Sequence, residues 1–521
     1  MLNYLSPELI ELVLIHLDIF SLKSCLEASS SFRDVIIHSP DIMKKLTLRL
    51  NEKNWKSKVP FIKEYGKYVR NVEIECSNGS CIYFRLLHFM PKTIKLKLNL
   101  MNSQRLHKQR SVDNEQDDII IAQLMSLLEC EDEIFGELNL TKLENLEAFF
   151  YKIDPAVIFH ELRNCKNLKK FCFRSSVETQ IHHESLISFL CQQNDLLCLE
   201  LKVGQMDIIF SAETIDKMNF KLNTLRIVPS FYAECDYTYL NKFLLKQSEC
   251  LEELRVFSWS CEAEIADGIS KLKNLKSLTT HGLLPYFNIQ KPQSPTEEDK
   301  ELVVLKNLTY FRYYRGNKNQ NFDEFDTTSL PGLKCLNVHF GIDHRLFGCY
   351  PDIKVTANPL RNLRHLKEFH IESCNQDLLH YLSSPNLESL VITYEDVLFD
   401  IASWTQIAKN LPKLQSLTIV NVNYEKFLKF IVENHERFIQ KIRGLKSLEL
   451  LLPSNDVLKL FISSGKVTNV VGNYCLTNSP LMKKKELLER KFDKIDFVMI
   501  SQEEYDDKYE RLQFYFHPCG P

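Results

Sequence analysis

Residues 411–422, which read LPKLQSLTIVNV, decide the fold of this chain. Within them Leu414, Leu417 and Ile419 follow the spacing L-x-x-L-x-L, and the alternation at the last two positions predicts a short strand with one apolar face. A single strand of this kind cannot bury that face by itself, so several copies must stack side by side. The stretch therefore predicts a chain built from repeated strand units.

The same spacing returns along much of the chain. Close copies are Leu168/Phe171/Phe173, Leu222/Leu225/Ile227, Leu251/Leu254/Val256, Leu366/Phe369/Ile371, Leu387/Leu390/Ile392 and Leu445/Leu448/Leu450. Looser copies start at Leu146, Leu196, Leu275, Leu308 and Leu333. The eleven steps from Leu146 to Leu445 have a mean length of about 27 residues, which is typical of leucine-rich repeats. The alternative is one large mixed α/β domain in which the leucine spacing is coincidental.

Helical segments alternate with these strands at 183–192, 237–247 and 425–434, where apolar residues recur at i, i+3 and i+4. Each segment is expected to pack its apolar face on the strands. The sequence thus predicts an α/β fold, a horseshoe solenoid with parallel inner strands and outer helices. Polar stretches are expected to form surface loops at 102–118, 283–307, 315–332 and 341–365.

The N-terminal residues 1–46 do not follow the repeat. Ser6 suits the N-cap of a helix and Pro7 suits its first position. Seven of the nine residues at 9–17 are apolar, so this helix is apolar around most of its circumference and needs two packing partners. Further short helices are expected through residues 22–28, from Ser31 and from Ser39-Pro40.

Residues 5–36, LSPELIELVLIHLDIFSLKSCLEASSSFRDVI, resemble an F-box, the helical module that docks on the Skp-type adaptor of cullin-RING ubiquitin ligases. The positions that match the family pattern are Leu5, Glu8, Leu9, Val13, Leu14, Leu17, Asp18, Leu22, Phe32 and Arg33. The resemblance implies that the adaptor is bound by Leu5, Pro7, Glu8, Leu9, Val13, Leu17 and Leu22. The alternative is a helical cap for the solenoid, which repeat arrays require in any case.

The composition restricts the class of protein. Of the 521 residues 44% are hydrophobic and 26% are charged, which is enough for an extended core. A net charge of −3 argues against nucleic acid as a partner. No run of 18 apolar residues and no basic leader is present, so no membrane contact and a cytoplasmic or nuclear location are expected. The 16 cysteines include no C-x-x-C pair and are expected to be reduced thiols.

No pattern of catalytic residues occurs in the chain. Motifs for phosphate loops, dinucleotides, zinc proteases and serine hydrolases are all absent from the sequence. The run His182-His183-Glu184 falls at the start of an expected outer helix, where adjacent side chains point apart, so it is not interpreted as a metal site. The sequence predicts no enzyme, no catalytic residue, no cofactor and no metal.

The predicted inner face lies at positions three, five and seven of each repeat, counted from its first leucine. In the repeats starting at Leu146 to Leu308 its bases are Lys152, Lys170, Arg174, Lys202, Arg226, Arg255 and Arg312, against the acids Glu200 and Glu253, with Phe150, Phe257, Tyr310 and Tyr314 among them. From Leu333 to Leu445 the face has no Lys or Arg and carries Glu368, Glu372 and Glu449. The alternative is the ordinary charge scatter of a soluble sheet.

Arginine and aromatic side chains carry much of the energy of protein interfaces, and arginine also binds carboxylate and phosphate groups in pairs of hydrogen bonds. A protein target, acidic or phosphorylated, is therefore predicted to contact Arg174, Lys202, Arg226, Arg255, Phe257, Arg312 and Tyr314.

An F-box followed by leucine-rich repeats resembles a family of ligase receptors. The resemblance implies a substrate-recognition subunit that binds the adaptor and, through it, cullin and RING subunits. The expected parts are an F-box at 1–46, a transition at 47–145, repeats at 146–465, and degenerate repeats with a C-terminal cap at 466–521. The transition is expected to hold a polar loop and two degenerate first repeats, Val69/Val72/Ile74 and Ile94/Leu96/Leu98. The alternative is a leucine-rich-repeat scaffold or inhibitor unconnected to ubiquitination.

Overall fold

The structure is a computed structural model of the 521-residue chain. It describes residues 6–17, 19–76, 81–101, 138, 140–151, 156–175, 183–203, 209–229, 238–256, 262–281, 305–314, 330–339, 360, 362–372, 381–393, 401–420, 430, 433–434, 437, 445, 447–451, 457–463, 466–473 and 496–500. The chain forms two compact units, Met1–Leu272 and Lys273–Pro521. The boundary between the units lies inside the stretch that the sequence assigned to repeats.

Unit 1 begins with four helices, α1 (Pro7–Leu14), α2 (Ile19–Ala28), α3 (Ser30–His38) and α4 (Pro40–Met43). Helix α3 packs against each of the other three. Their shared core consists of fully buried aliphatic side chains, including Ile10, Leu14, Leu22, Ile36, Ile37 and Ile42. The Ser39 hydroxyl accepts a hydrogen bond of 3.3 Å from the Ile42 N–H, so it caps α4 as predicted. Helix α3 begins at Ser30 rather than after Ser31, and Ser29 in its N-cap position makes no side-chain cap bond.

Strands of unit 1 run parallel, each hydrogen-bonded to the next along the chain. They are β1 (Thr47–Asn51), β2 (Asn71–Cys76), β3 (Lys95–Met101), β4 (Asn145–Tyr151), β5 (Lys170–Ser175), β6 (Cys198–Val203), β7 (Thr224–Pro229) and β8 (Glu253–Val256). The strand array begins at Thr47, so it includes the stretch that the sequence treated as a transition.

Helices connect most of these strands. They are α5 (Trp55–Tyr65), two 3-10 helices (Gly66–Tyr68 and Cys81–Phe89), α6 (Ala156–Glu161), α7 (His183–Cys191), α8 (Ala212–Lys217), α9 (Thr238–Lys246) and α10 (Glu262–Ser270). The helices expected at 183–192 and 237–247 are confirmed as α7 and α9. From α6 to α10 each helix packs on the next one, as the strands do.

The core of unit 1 is a set of rows, because parallel strands in register bring equivalent side chains next to one another. One row of fully buried residues crosses five strands and consists of Leu146, Phe171, Leu199, Leu225 and Leu254. Helices α6 and α7 add aromatic rings to this row. The Phe171 ring lies 6.2 Å from that of Phe159 and 5.4 Å from that of Phe189.

The phase assigned to the first regular repeat was wrong. Leu146 pairs with Phe171, the second apolar position of its repeat, so the first position is Leu143 and not Leu146. Phe150 is consequently a buried core residue rather than an inner-face residue. The phase of the repeat assigned from Ile94 was wrong for a similar reason, because buried Thr93 occupies its first position and its hydroxyl donates to the Met90 carbonyl at 2.7 Å.

Asparagines just before the first leucine join successive repeats. The side-chain amide of Asn167 donates to the Thr141 carbonyl at 2.9 Å, and that of Asn307 donates to the Lys273 carbonyl at 2.8 Å. Asn386 repeats the contact with the Arg364 carbonyl at 2.9 Å. Each bond satisfies a backbone carbonyl in the turn of the preceding repeat. The leucine spacing alone does not account for these asparagines.

Unit 2 continues with parallel strands and then changes pattern. Its elements are β9 (Ser277–His281), β10 (Tyr310–Tyr314), β11 (Cys335–His339), β12 (Glu368–Glu372), β13 (Ser389–Thr393), α11 (Ile401–Asn410), β14 (Ser416–Val420), β15 (Ser447–Leu451), β16 (Val457–Ser463), β17 (Lys466–Asn473) and β18 (Asp496–Ile500). Strands β9 to β15 run parallel to one another, whereas β16 is antiparallel to both β15 and β17. Strands β17 and β18 are parallel again.

The fold is therefore α/β, with parallel strands and intervening helices, and it is compatible with a repeat solenoid. Most of the expected helix at 425–434, and the stretch 102–118, lie outside the described residues. The same holds for nearly all of the spacers 283–307, 315–332 and 341–365.

Candidate functional site

Helix α1 carries an exposed row of apolar side chains. Leu9 is 50% exposed, Leu12 61% and Val13 55%. Residues spaced i, i+3 and i+4 lie on one side of a helix, so the three side chains form a single strip, which we call the apolar stripe. The opposite side of α1 buries Ile10 and Leu14. Contiguous exposed apolar surface of this kind marks interaction sites in soluble proteins.

The residues predicted to bind an adaptor fall into three groups. Pro7 and Glu8 are exposed beside the apolar stripe, to which Leu9 and Val13 belong, and Leu17 is half-buried. Leu22 is fully buried among the four helices, so its place on a docking surface is corrected to a place in the core. Leu5 lies outside the described residues. The sequence reading missed Leu12, although its position three residues after Leu9 was a signal for it.

Glu8 lies at the start of α1. Hydrogen bonding by its own backbone amide, and then by the Ser6 hydroxyl, lowers the pKa of the Glu8 carboxyl. Because both groups stabilise the charged form, Glu8 stays ionised at neutral pH and leaves a negative charge at the positive end of the helix dipole.

Charged side chains alternate across the polar face of the sheet, defined as the side chains at positions three, five and seven of each repeat. On β1 to β5, Glu73 lies between two bases, with Arg49 Nε 2.8 Å and Lys97 Nζ 3.0 Å from its carboxylate oxygens. Lys170 Nζ contacts Glu147 at 2.8 Å. The pairs form because neighbouring strands place residues some 23 positions apart side by side.

The arginines further along the polar face are paired as well. Arg174 Nε donates to Glu200 at 3.0 Å, and its guanidinium lies 4.9 Å from the centre of the Phe149 ring. Arg226 contacts Glu200 at 3.5 Å and Glu253 at 3.0 Å. A partner that binds these arginines must therefore compete with two glutamates already in place.

Arg255 completes this row. Its Nε lies 2.7 Å from Glu253, and Arg226 and Arg255 are in-register neighbours on β7 and β8, as the sequence predicted. Lys202 is half-buried, and Arg312 in unit 2 is only 7% exposed, so it offers little surface to a target. Phe257 lies outside the described residues, as does Lys152. Tyr314 is described only as the last residue of β10.

The Glu200 carboxyl shows the electrostatic balance of this row. Its burial acts to raise its pKa, but the charge and hydrogen bonds of Arg174, together with the charge of Arg226, outweigh that effect and lower the pKa from its usual 4.5. A carboxyl whose pKa is lower in the folded state stabilises the fold above its unfolded pKa. That stabilisation is lost as the pH falls through the folded value.

Replacing Glu200 with glutamine is therefore expected to destabilise unit 1 by about 1–3 kcal/mol at neutral pH, because two arginines lose their charged acceptor. The difference from wild type should shrink as the pH falls below 4.5. Urea unfolding followed by circular dichroism at several pH values measures it. A difference that stays constant across this range would contradict the assigned pairing.

A cleft of about 460 Å³ opens on the polar face where the four helices meet the first strands. Five lysines and two glutamates line it, so that it carries an excess of positive charge. We call it the lysine cleft, and its lysines are Lys44, Lys45, Lys95, Lys97 and Lys170. The inner face predicted from the sequence was counted only from the repeat at Leu146 onward, so it did not include Lys95 and Lys97.

The two glutamates of the cleft already pair with Lys97 and Lys170, as described above. Lys44 forms an ion pair of 2.9 Å with Asp41, but both side chains are largely exposed and such pairs contribute little. Lys95 is exposed at the edge of the cleft. The excess charge thus comes mainly from Lys95 and from Lys45, whose ammonium donates to the Ile15 carbonyl.

In unit 2, Cys335, Glu368 and His370 place one possible metal-ligand atom each within 4.8 Å of one another. They lie on neighbouring strands, because Cys335 of β11 is in register with Glu368 of β12. The sequence reading had predicted no metal, and the 33-residue separation of Cys335 from Glu368 gave no local signal.

The buried thiols have a different character. Burial raises the pKa of both Cys165 and Cys172 to about 12. Such thiols stay protonated at neutral pH and do not act as nucleophiles or as metal ligands.

None of the helices in the described residues combines the length and the apolar character that crossing a membrane requires. No protein-family model matches the chain, and a search of curated proteins finds no match to it.

Proposed function

We propose that this chain is the substrate-recognition subunit of a Skp–cullin–F-box ubiquitin ligase. In this proposal α1 to α4 are the F-box and the strand array is a leucine-rich-repeat horseshoe. The observation that carries the proposal is the apolar stripe on α1. Three large apolar side chains exposed together on the first helix need a partner, and the residues around them match the F-box pattern.

Covering the apolar stripe would contribute favourably to adaptor binding. Fully burying an exposed Leu or Val side chain contributes about 1.5–3 kcal/mol, and Leu9, Leu12 and Val13 are each only 50–61% exposed, so each contributes roughly half of that. The buried side of α1 is already packed within the helical module. Docking thus requires no unfolding of the helices.

We infer that the repeats hold an acidic or phosphorylated segment of the target protein in the lysine cleft. Its excess lysines are not matched by glutamates, unlike the arginines on β5 to β8. An anionic partner would offset their mutual repulsion. The chain itself then contributes proximity and orientation, and the ligase chemistry comes from the RING and cullin subunits.

The second candidate is a repeat scaffold without a ubiquitin ligase. It is favoured by the ion-paired polar face, because a self-neutralised row of charges also suits a passive sheet. The two candidates differ in one respect: only the first requires the N-terminal helices to bind a Skp-type adaptor.

One co-purification experiment tests both parts of the proposal. The full chain, co-expressed with a Skp-type adaptor, should recover the adaptor in a stoichiometric complex. A variant with Lys44→Glu and Lys95→Glu should recover the same adaptor but lose acidic or phosphorylated partners, because the sign of the cleft is reversed.

The matched control is Lys166→Glu, an exposed lysine outside the cleft. It should recover the same proteins as wild type. Failure of the wild-type chain to bind any Skp-type adaptor would favour the scaffold. Identical partners from wild type and the cleft variant would remove the cleft as the target site while leaving the adaptor result intact.

A further inference from the structure

The cluster of Cys335, Glu368 and His370 consists of three different metal-ligand types on adjacent strands. The Cα atoms of Cys335 and Glu368 are partners across the β11–β12 pair, and His370 follows Glu368 on the same face two residues later. Their ligand atoms lie within 4.8 Å of one another. Ligands around a tetrahedral zinc lie about 3.3–3.8 Å apart, as its bond lengths of about 2.0–2.3 Å require. Small side-chain movements would therefore bring the three atoms to bonding distance.

The charges around the cluster favour a cation. In unit 1, glutamates of the polar face such as Glu73 and Glu200 are paired with arginine or lysine. From Leu333 to Leu445 the sequence has no Lys or Arg at the equivalent positions, and the preceding strand β10 contributes Arg312, which is in register with Asn337. A divalent cation would be balanced by one thiolate and one carboxylate, with a neutral imidazole as third ligand.

The surroundings support Cys335 as a ligand. Asn337, two residues after Cys335 on β11, is buried. Its side-chain amide donates to the Tyr310 hydroxyl on β10 at 2.7 Å, so the bond joins the two strands beside the cluster. The Cys335 thiol donates a weak hydrogen bond to the Asn337 amide oxygen at 3.9 Å. The Cys335 thiol and the His370 ring are each half-buried, whereas Glu368 is exposed.

The ligand types select the metal. A thiolate, an imidazole and a carboxylate suit zinc, whereas calcium and magnesium prefer oxygen ligands alone. Three protein ligands leave one tetrahedral position for water or for a group of a bound partner.

We propose that Cys335, Glu368 and His370 form a zinc-binding site on the polar face of unit 2, with water in the fourth position. The site does not depend on the proposed adaptor function, since it lies in the other unit and uses none of the same residues.

The test is zinc binding by the full chain, stripped of metal by a chelator and titrated with Zn²⁺ against a chromophoric competitor. Wild type should bind one equivalent that is lost in Cys335→Ser, and His370→Ala should bind at least about tenfold more weakly. Titration with Co²⁺ gives a second readout, because a thiolate ligand produces a charge-transfer band that Cys335→Ser should lack.

The matched control is Cys172→Ser, which removes a buried thiol in unit 1 and should leave zinc binding unchanged. Glu368 is exposed, so Glu368→Gln should fold normally and still bind zinc more weakly than wild type. Equal zinc stoichiometry and equal cobalt spectra in wild type, Cys335→Ser and Glu368→Gln would overturn the proposal, as would the absence of any bound equivalent in wild type.

Discussion

Replacing Leu9 and Val13 together with aspartate is expected to abolish binding of a Skp-type adaptor to this chain. Both side chains are about half exposed on α1, so the aspartates cost little in the free protein. In the complex they would place two charges in an apolar contact and remove two apolar side chains. A loss of affinity of at least about 100-fold follows, since 100-fold corresponds to about 2.7 kcal/mol.

Isothermal titration of the purified chain with the adaptor measures this loss. The matched control is Leu245→Asp, a comparably exposed leucine on helix α9, which should bind like wild type. Circular dichroism of the double variant should match wild type, because Ile10 and Leu14 keep the core side of α1 intact. Adaptor affinity that is unchanged in the double variant would refute the assignment of α1 as the docking helix.

Replacing Leu417 with alanine is expected to destabilise unit 2 by about 2–5 kcal/mol, and aspartate at the same position by more. Leu417 is fully buried on β14 and lies in register between Leu390 and Leu448 on the two neighbouring strands. Shortening it leaves a cavity in the middle of an apolar row. Aspartate would bury a charge there without a partner.

Gln415 provides the control for Leu417, because it is two residues away and partly exposed. Its backbone N–H donates to the Glu388 carbonyl at 2.8 Å, a bond that a side-chain change leaves in place. Gln415→Ala should change stability by less than about 0.5 kcal/mol. Urea unfolding measures the free energy of unfolding of the Leu417 and Gln415 variants. A Leu417→Asp variant as stable as Gln415→Ala would show that the strand phase is wrong.

Much of the fold could be predicted from local pattern. The L-x-x-L-x-L spacing placed Leu417 and Leu225 in the core because the alternation of a strand is set by its own residues. The pattern misled where a repeat has a third apolar residue. Phe149 and Tyr151 stand three and five residues after Leu146 and also fit the spacing, so the repeat could be read three residues too late.

The candidate surfaces were less predictable. An apolar helix such as α1 shows in the sequence that it needs partners, but not which of its residues the other helices cover. The structure divides them, burying Ile10, Leu14 and, from α2, Leu22 while leaving Leu9 and Val13 exposed. Packing among the four helices decides which of these apolar side chains are buried and which are exposed.

By itself the sequence determined the α/β class and, in repeats such as those of Leu225 and Leu417, the apolar face of the strand, since these follow from spacing within a few residues. Only the tertiary structure decided which side chains meet across strands. Arg226 lies against Glu253 and Cys335 lies against Glu368 because of the strand register, and the repeats that separate them differ in length. Pairing across such spacings depends on how strands align in space, which no local pattern specifies.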